Sequence, residues 1–357
     1  MATIKGTDGN DTLTGTSGAD TFLPIMGTDT VDGGAGIDTL VFDFGTTQYS
    51  GNLVLTASNA AGTSGTFTAG FSVNTTFSNI ESVTLTGVGA FVIDGRLAFG
   101  SGALNVAASD VGPYSSSNTL NLDLSHGNSA SGVTFAITGH NATFAHATFA
   151  GFYGWTIALT NFADTATGGD DHDTFQGGGG NDTLSGMGGG DSLYGQDGND
   201  KLDGGAGDDY LVGGSGSDTR VGGDGNDILI SGSSAASDGG QNHDVMMGGA
   251  GNDFLWGDGG DTFDGGAGTD VISMDLSSAT SALTADLTAA FKGGTVTFTA
   301  GTIGATTVTA VEGYYAITLS DFADTLKLGS GAHFVNSAVP GGDEAQGIHA
   351  GGGDDTV

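Results

Sequence analysis

The 357-residue chain contains no cysteine, three prolines and six basic residues. Without cysteine there is no disulfide scaffold and no cysteine-ligated zinc site. Scarce proline beside 70 glycines argues against collagen, which needs both in a three-residue period. Six bases against 41 acids leave a net charge of −35. Such a chain should repel nucleic acid and anionic membrane surfaces, and should repel itself unless cations neutralise it. No apolar run approaches the ~18 residues of a membrane span. No basic start leads into an apolar core, as a cleavable secretory signal would. Neither His-Glu-x-x-His nor Gly-x-Ser-x-Gly occurs, which removes the zinc-protease and lipase-type sites. His140 and His146 would stand ~20 Å apart along an extended strand, too far to share one ion. Trp155 and Trp256 read as core or rim residues, although such rings can also stack on sugars. The many aspartates leave a glycosidase-like acid pair open. The three glutamates are Glu81, Glu312 and Glu344, and the duplicated setting of the first two suggests a structural role.

Glycine and aspartate are abundant, and they are ordered by a period of nine. Gly168 to Ile230 divides into seven consecutive nonapeptides. The cleanest is Gly204-Gly205-Ala206-Gly207-Asp208-Asp209-Tyr210-Leu211-Val212, or G-G-x-G-x-D-x-U-x with U a large apolar residue. Glycines at positions one, two and four permit backbone angles and close approaches that a Cβ would block. Aspartate at position six is a hard oxygen ligand suited to Ca²⁺. The last three residues suffice for one short strand whose single inward side chain is U. No unit can bury that face alone, so the units must stack. The competing reading is a disordered Gly/Asp tract. The return of U at every ninth position argues for a folded chain when Ca²⁺ is present, and for disorder when it is absent.

These repeats resemble the RTX calcium-binding β-roll. The resemblance implies an all-β fold of parallel β-roll segments, with multiple Ca²⁺ ions as cofactors. Successive nonapeptides would form opposite edges, so that turns n and n+2 stack with an ion between them. Each ion would take backbone carbonyls from the first four positions together with the position-six carboxylates. Carried over by position, the central ligands are Asp173, Asp182, Asp191, Asp200, Asp209, Asp218 and Asp227. The backbone positions include Gly177, Gly179, Gly204, Ala206, Gly222 and Asp224. Seven stacked units offer about five complete sites on that scheme, fewer where glycine is replaced, as at Met187 or Asp171. The resemblance also implies export from a Gram-negative cell by type I secretion, with no cleaved N-terminal signal.

Gly6 to Val41 holds four further units, with Asp11, Asp20, Asp29 and Asp38 at position six. After Ile230, Ser231 to Asp238 reads as a surface loop. Repeats resume with Asp244, Asp253, Asp261 and Asp270, and Gly257–Asp264 is one residue short. Between the repeats, Leu53–Leu55, Phe71–Val73, Val83–Leu85, Leu120–Leu124, Val133–Ile137 and Thr156–Leu159 alternate with period two, as half-buried strands do. No convincing amphipathic helix is seen. The expected order is a roll over 1–41, a β-rich insert over 42–158, and a central roll over 159–273. A shorter insert follows over 274–320, then the start of a third roll over 321–357. The inserts are expected to be β-helix-like or β-sandwiches. The chain breaks off inside a repeat at Val357, which reads as truncation. An internal duplication pairs Asn161–Thr165 with Asp321–Thr325, Gly33–Phe44 with Gly265–Leu276, and Asn79–Glu81 with Ala310–Glu312. Arg220 stands at an inward position eight, so its strand is either open to solvent or its guanidinium pairs with an acid.

The expected function is a secreted Ca²⁺-binding structural protein of the cell surface, of S-layer or adhesin type, that assembles with its own copies and is not an enzyme. Alternatives are the non-catalytic RTX module of a larger exported enzyme or toxin, and a protein acting on or binding polysaccharide through residues 42–158. Cell-surface polysaccharide is the other possible partner.

Overall fold

The computed structural model describes residues 2–24, 27–48, 53–57, 64–69, 73–80, 82–88, 90–94, 104–108, 119–123, 134–138, 141–144, 147–150, 154–232, 242–299, 304–328, 333–334, 347–349 and 356. His140, His146, Glu81, Glu344 and most of Ser231–Asp238 lie outside them. The chain divides into two compact units, Met1–Phe175 and Gln176–Val357.

In the second unit each nonapeptide yields one short strand. The glycine-rich turn carries the chain across to a facing sheet, so strands pair in parallel with the unit two repeats away. One sheet runs Thr183–Gly188, Lys201–Ala206, Thr219–Asp224, Val245–Gly251, Thr262–Gly268 and Thr306–Thr309. The other runs Ser192–Asp197, Tyr210–Ser215, Ile228–Ile230, Phe254–Asp258, Val271–Asp275 and Gly313–Thr318. This is a parallel β-roll. Position-eight residues fill the interior between the sheets: Leu184, Leu193, Leu202, Leu211 and Leu229 are each no more than 1 % exposed. Side chains alternate along a strand and the rest of each repeat is glycine-rich, so the last three residues of a nonapeptide supply only one such side chain. Past the inserted residues after Ile230, the offset between stacked aspartates grows from 18 residues to 26, and beyond them falls to 17 across the short unit. The ladder therefore keeps spatial register through both an insertion and a deletion. Among the described residues the helical content is one 3₁₀ turn, Ala290–Lys292.

The first unit has parallel ladders of its own, which run on into the insert. Thr3–Lys5, Thr21–Leu23, Thr39–Gln48, Ser82–Val88, Leu104–Ala108 and Ala147–Ala150 form one parallel run. Thr12–Thr14, Gly27–Asp32 and Val73–Ser78 form a second. Leu53–Ala57, Ala90–Asp94, Thr119–Asp123 and Gly154–Ala158 form a third. Of the two expected forms of insert, the described residues take the β-helix-like one. The alternating stretches fall on strands wherever they are described, except that Leu159 lies just past the strand Gly154–Ala158. The antiparallel excursions were not anticipated: Gly65–Ala69 bridges Leu53–Ala57 and Val73–Ser78, and Asn141–Phe144 bridges Thr134–Thr138 and Ala147–Ala150. Phe22, Val31, Leu40, Phe42, Phe67 and Trp155 fill this unit's core.

Candidate metal centre

The position-six aspartates stack into two ladders, one along each edge of the second unit's roll. Asp182, Asp200, Asp218, Asp244 and Asp261 form one, and Asp191, Asp209, Asp227, Asp253 and Asp270 the other. None of these ten is more than 2 % exposed. From the second member of each ladder onward, Oδ1 accepts the backbone N–H of the aspartate one coil earlier. Asp200 Oδ1 takes the Asp182 N–H at 2.7 Å, and Asp227 Oδ1 takes that of Asp209 at 2.9 Å. The second ladder ends where Asp270 donates its N–H to Glu312 Oε2 at 2.9 Å.

The other carboxylate oxygen is in a different position. The Oδ2 atoms of Asp200, Asp227, Asp253 and Asp270 are buried and have no hydrogen-bond partner in the protein. Each faces the first glycine of its own unit. A Cβ on Gly195 would strike Asp200 Oδ2 and lie 2.6 Å from the Gly213 carbonyl oxygen. A Cβ on Gly222 would strike Asp227 Oδ2 and lie 2.5 Å from the Gly248 carbonyl. Gly177 and Gly204 are placed in the same way against Asp182 and Asp209, with the Gly195 and Gly222 carbonyls behind them. A carboxylate oxygen and a carbonyl oxygen from the next coil therefore converge at each edge, in space that only glycine leaves open. Burial pushes the Asp227 carboxyl up to about 7 and that of Asp270 to about 6, and raises those of Asp200 and Asp253. Burial first, and neighbouring Asp244 second, raise Asp261 to about 7. Buried oxygens that converge without a donor favour a cation between them. Among the described residues no three His, Cys, Asp or Glu side chains converge on a metal position. A cation here has to draw mainly on main-chain carbonyls, which Ca²⁺ accepts readily as part of six to eight oxygen ligands.

The family model of the RTX calcium-binding nonapeptide repeat, four copies long, matches residues 3–23, 26–40, 160–193, 185–219, 221–235 and 238–272. These stretches are RTX calcium-binding repeats. No curated protein matches it. RTX repeats imply a Ca²⁺-binding, exported protein. No helix among the described residues is long and apolar enough to cross a membrane. The residues present fit the ion. When bound, Ca²⁺ supplies the positive charge that offsets the buried Oδ2 atoms.

The three RTX glycines act in two ways. Positions two and four need a left-handed backbone: Gly205 has φ 107° and Gly207 φ 132°. Position one needs space for the aspartate. Met187 and Gln196 sit at position two, each with φ 76°. Fewer complete sites were expected where glycine is replaced; Met187 takes the positive φ that glycine takes elsewhere at position two, and a Cβ on Gly186 would strike Asp191 Oδ2 as in the other turns. Asp171 behaves differently. Neither Gly169 nor Asp171 takes a positive φ, and Asp173 Oδ2 accepts the Gly169 N–H at 2.9 Å. The position-three carbonyls of Ala206 and Asp224 accept the N–H groups of Gly189 and Gly207 at 2.9 and 2.7 Å. Gly179 ends the strand Asp173–Gly179.

A second class of turn closes itself. Asp20 Oδ2 accepts both the N–H and the hydroxyl of Thr16, each at 2.7 Å. Those two bonds hold the Asp20 carboxyl below its ordinary range. Asp11 uses Thr7 in the same way, and Asp164 and Asp324 use Thr160 and Ser320. Asp29 and Asp38 are fully buried, and Asp29 Oδ2 has no hydrogen-bond partner in the protein. Sequence reasoning missed position five. Asn181 Oδ1 accepts the Asn199 N–H, Asn199 Oδ1 that of Ser217, and Asn252 Oδ1 that of Thr269. The signal was available in the recurrence of asparagine at that position.

Proposed function

We propose that this protein is a Ca²⁺-dependent structural component of the bacterial cell surface, of S-layer or adhesin type. It leaves a Gram-negative cell by type I secretion without a cleaved signal, and it folds and associates with its own copies outside. The observation carrying this reading is the pair of buried carboxylate ladders, whose Oδ2 atoms make the roll dependent on an external cation. Low Ca²⁺ inside the cell then keeps the chain exportable, and higher Ca²⁺ outside folds it. Neutralising the carboxylates also lowers repulsion between copies. A roll ends in strand edges that a neighbouring copy can extend. Cell-surface polysaccharide is the second partner consistent with this role. Light scattering and electron microscopy across a Ca²⁺ titration test the proposal: ordered sheets or filaments are expected. A chain that folds in Ca²⁺ yet stays dispersed at high concentration would instead fit a folding module of a larger exported protein.

A further inference from the structure

Arg220 breaks the repeat at the position where leucine elsewhere fills the core. Its side chain is fully buried. Nη1 lies 3.4 Å from Asp218 Oδ2 and donates to the Ser231 carbonyl oxygen at 3.3 Å, while Nη2 lies 3.3 Å from Asp244 Oδ2. Asp218 is the position-six aspartate of the same unit. Ser231 stands 18 residues after Gly213, the first glycine of that unit, where the other coils place a glycine carbonyl. In ordinary coils the place beside the first glycine is bounded by Oδ2 of its own aspartate and the carbonyl 18 residues on. At Gly213, a Cβ would meet Arg220 Nη1 first and Asp218 Oδ2 next. The guanidinium thus occupies the gap that is open beside Gly195 and Gly222. It also reaches the aspartate of the following coil, separated from Asp218 by the 26-residue offset of the insertion.

We infer that Arg220 is a built-in cation that takes the place of one Ca²⁺ in the ladder, between the turns of Asp218 and Asp244. The placement has a physical rationale. The following coil supplies the Ser231 carbonyl in place of a glycine's, and a Ca²⁺ in this gap would need six to eight oxygens gathered around it. A guanidinium needs no cage. It carries its charge on a tethered plane of donors and bonds carboxylate and carbonyl together. The ladder can then cross the irregular step without an ion.

The inference rests on the Ca²⁺ reading above, and the test separates the two. Bound Ca²⁺ per chain is counted by equilibrium dialysis for the full chain and for Arg220→Leu, Arg220→Lys and Arg220→Leu/Asp218→Asn, with circular dichroism confirming folding in saturating Ca²⁺. Arg220→Leu restores the usual inward residue and should bind one more ion than the unaltered chain. Arg220→Lys should keep the original count, and the double variant should lose the extra ion. An unchanged count in folded Arg220→Leu overturns the substitution while leaving the other sites standing. So does failure of that variant to fold at saturating Ca²⁺, since the ion then cannot replace the side chain. An unaltered chain that binds no Ca²⁺ overturns both.

Discussion

Asp200 and Asp20 hold the same place in the nonapeptide and differ in one neighbour. Four residues before Asp20 stands Thr16, which donates two hydrogen bonds to Oδ2. Four residues before Asp200 stands Gln196, whose backbone is turned left-handed, and Oδ2 is left without a donor. Asp200→Asn should therefore lower the number of bound Ca²⁺ ions, and Asp20→Asn should leave it unchanged. Equilibrium dialysis of the two variants decides this, and equal losses would refute the distinction between open and closed turns. The same buried oxygens set the response to pH. The ion-free carboxyls of Asp227 and Asp261 stand near 7 and that of Asp270 near 6, against an ordinary value of 3.8. Their folded values lie above their unfolded ones, so the ion-free roll binds more protons than the unfolded chain. Its stability is greatest below about pH 4 and is lost as pH rises through about 6 to 7. In chelator, circular dichroism should show β-structure gained on acidification from pH 8 to 5. A gain in the opposite direction would contradict this account. The distinction between closed and open turns was legible in the residue four before the aspartate, Thr7 or Thr16 in the closed turns against Gln196 or Gly223 in the open ones. The partner of Arg220 was not, because an insertion of irregular length decides which acid reaches it.

At the scale of the strand, each coil contributes one buried residue to the interior and pairs with the coils before and after it. Leu211 is fully buried, and its strand lies between Ser192–Asp197 and Ile228–Ile230. Leu211→Ala should cost about 2–5 kcal/mol in saturating Ca²⁺, measured by denaturant unfolding. Because stability in stacked units is a nearest-neighbour sum, hydrogen exchange should quicken first in those two flanking strands. Uniform loss of protection across the roll would show that the coils are more strongly coupled than this. The strands of the rolls could be read from the period alone, since turn glycines, aspartate and apolar residue recur in fixed order. The hairpins could not. Thr66–Thr68 alternates with period two whether its neighbour runs parallel or antiparallel, and only the intervening turns decide the direction.

Across the whole molecule the duplication visible in sequence corresponds to a repeated structural device. Asn79 and Ala310, at matching places, take φ 53° and 46° although neither is glycine. Their carbonyls press against Gly33 and Gly265, the first glycines of the matching units. Ile80 and Val311 beside them are buried. The Thr160–Asp164 and Ser320–Asp324 turns likewise share their hydrogen bonds, and each leaves a phenylalanine, Phe162 or Phe322, exposed on its turn. Each copy thus leads the nonapeptide into an insert and back out by the same local means. A chain with a net charge of −35 and few bases has little internal charge with which to hold such coils together. At neutral pH its ladders are therefore expected to form only when cations are supplied. Circular dichroism of the full chain, titrated with Ca²⁺ from a chelated start at neutral pH, tests this most directly. A largely disordered spectrum that converts cooperatively to β-structure is the predicted result, and the same β-content with and without Ca²⁺ would contradict it.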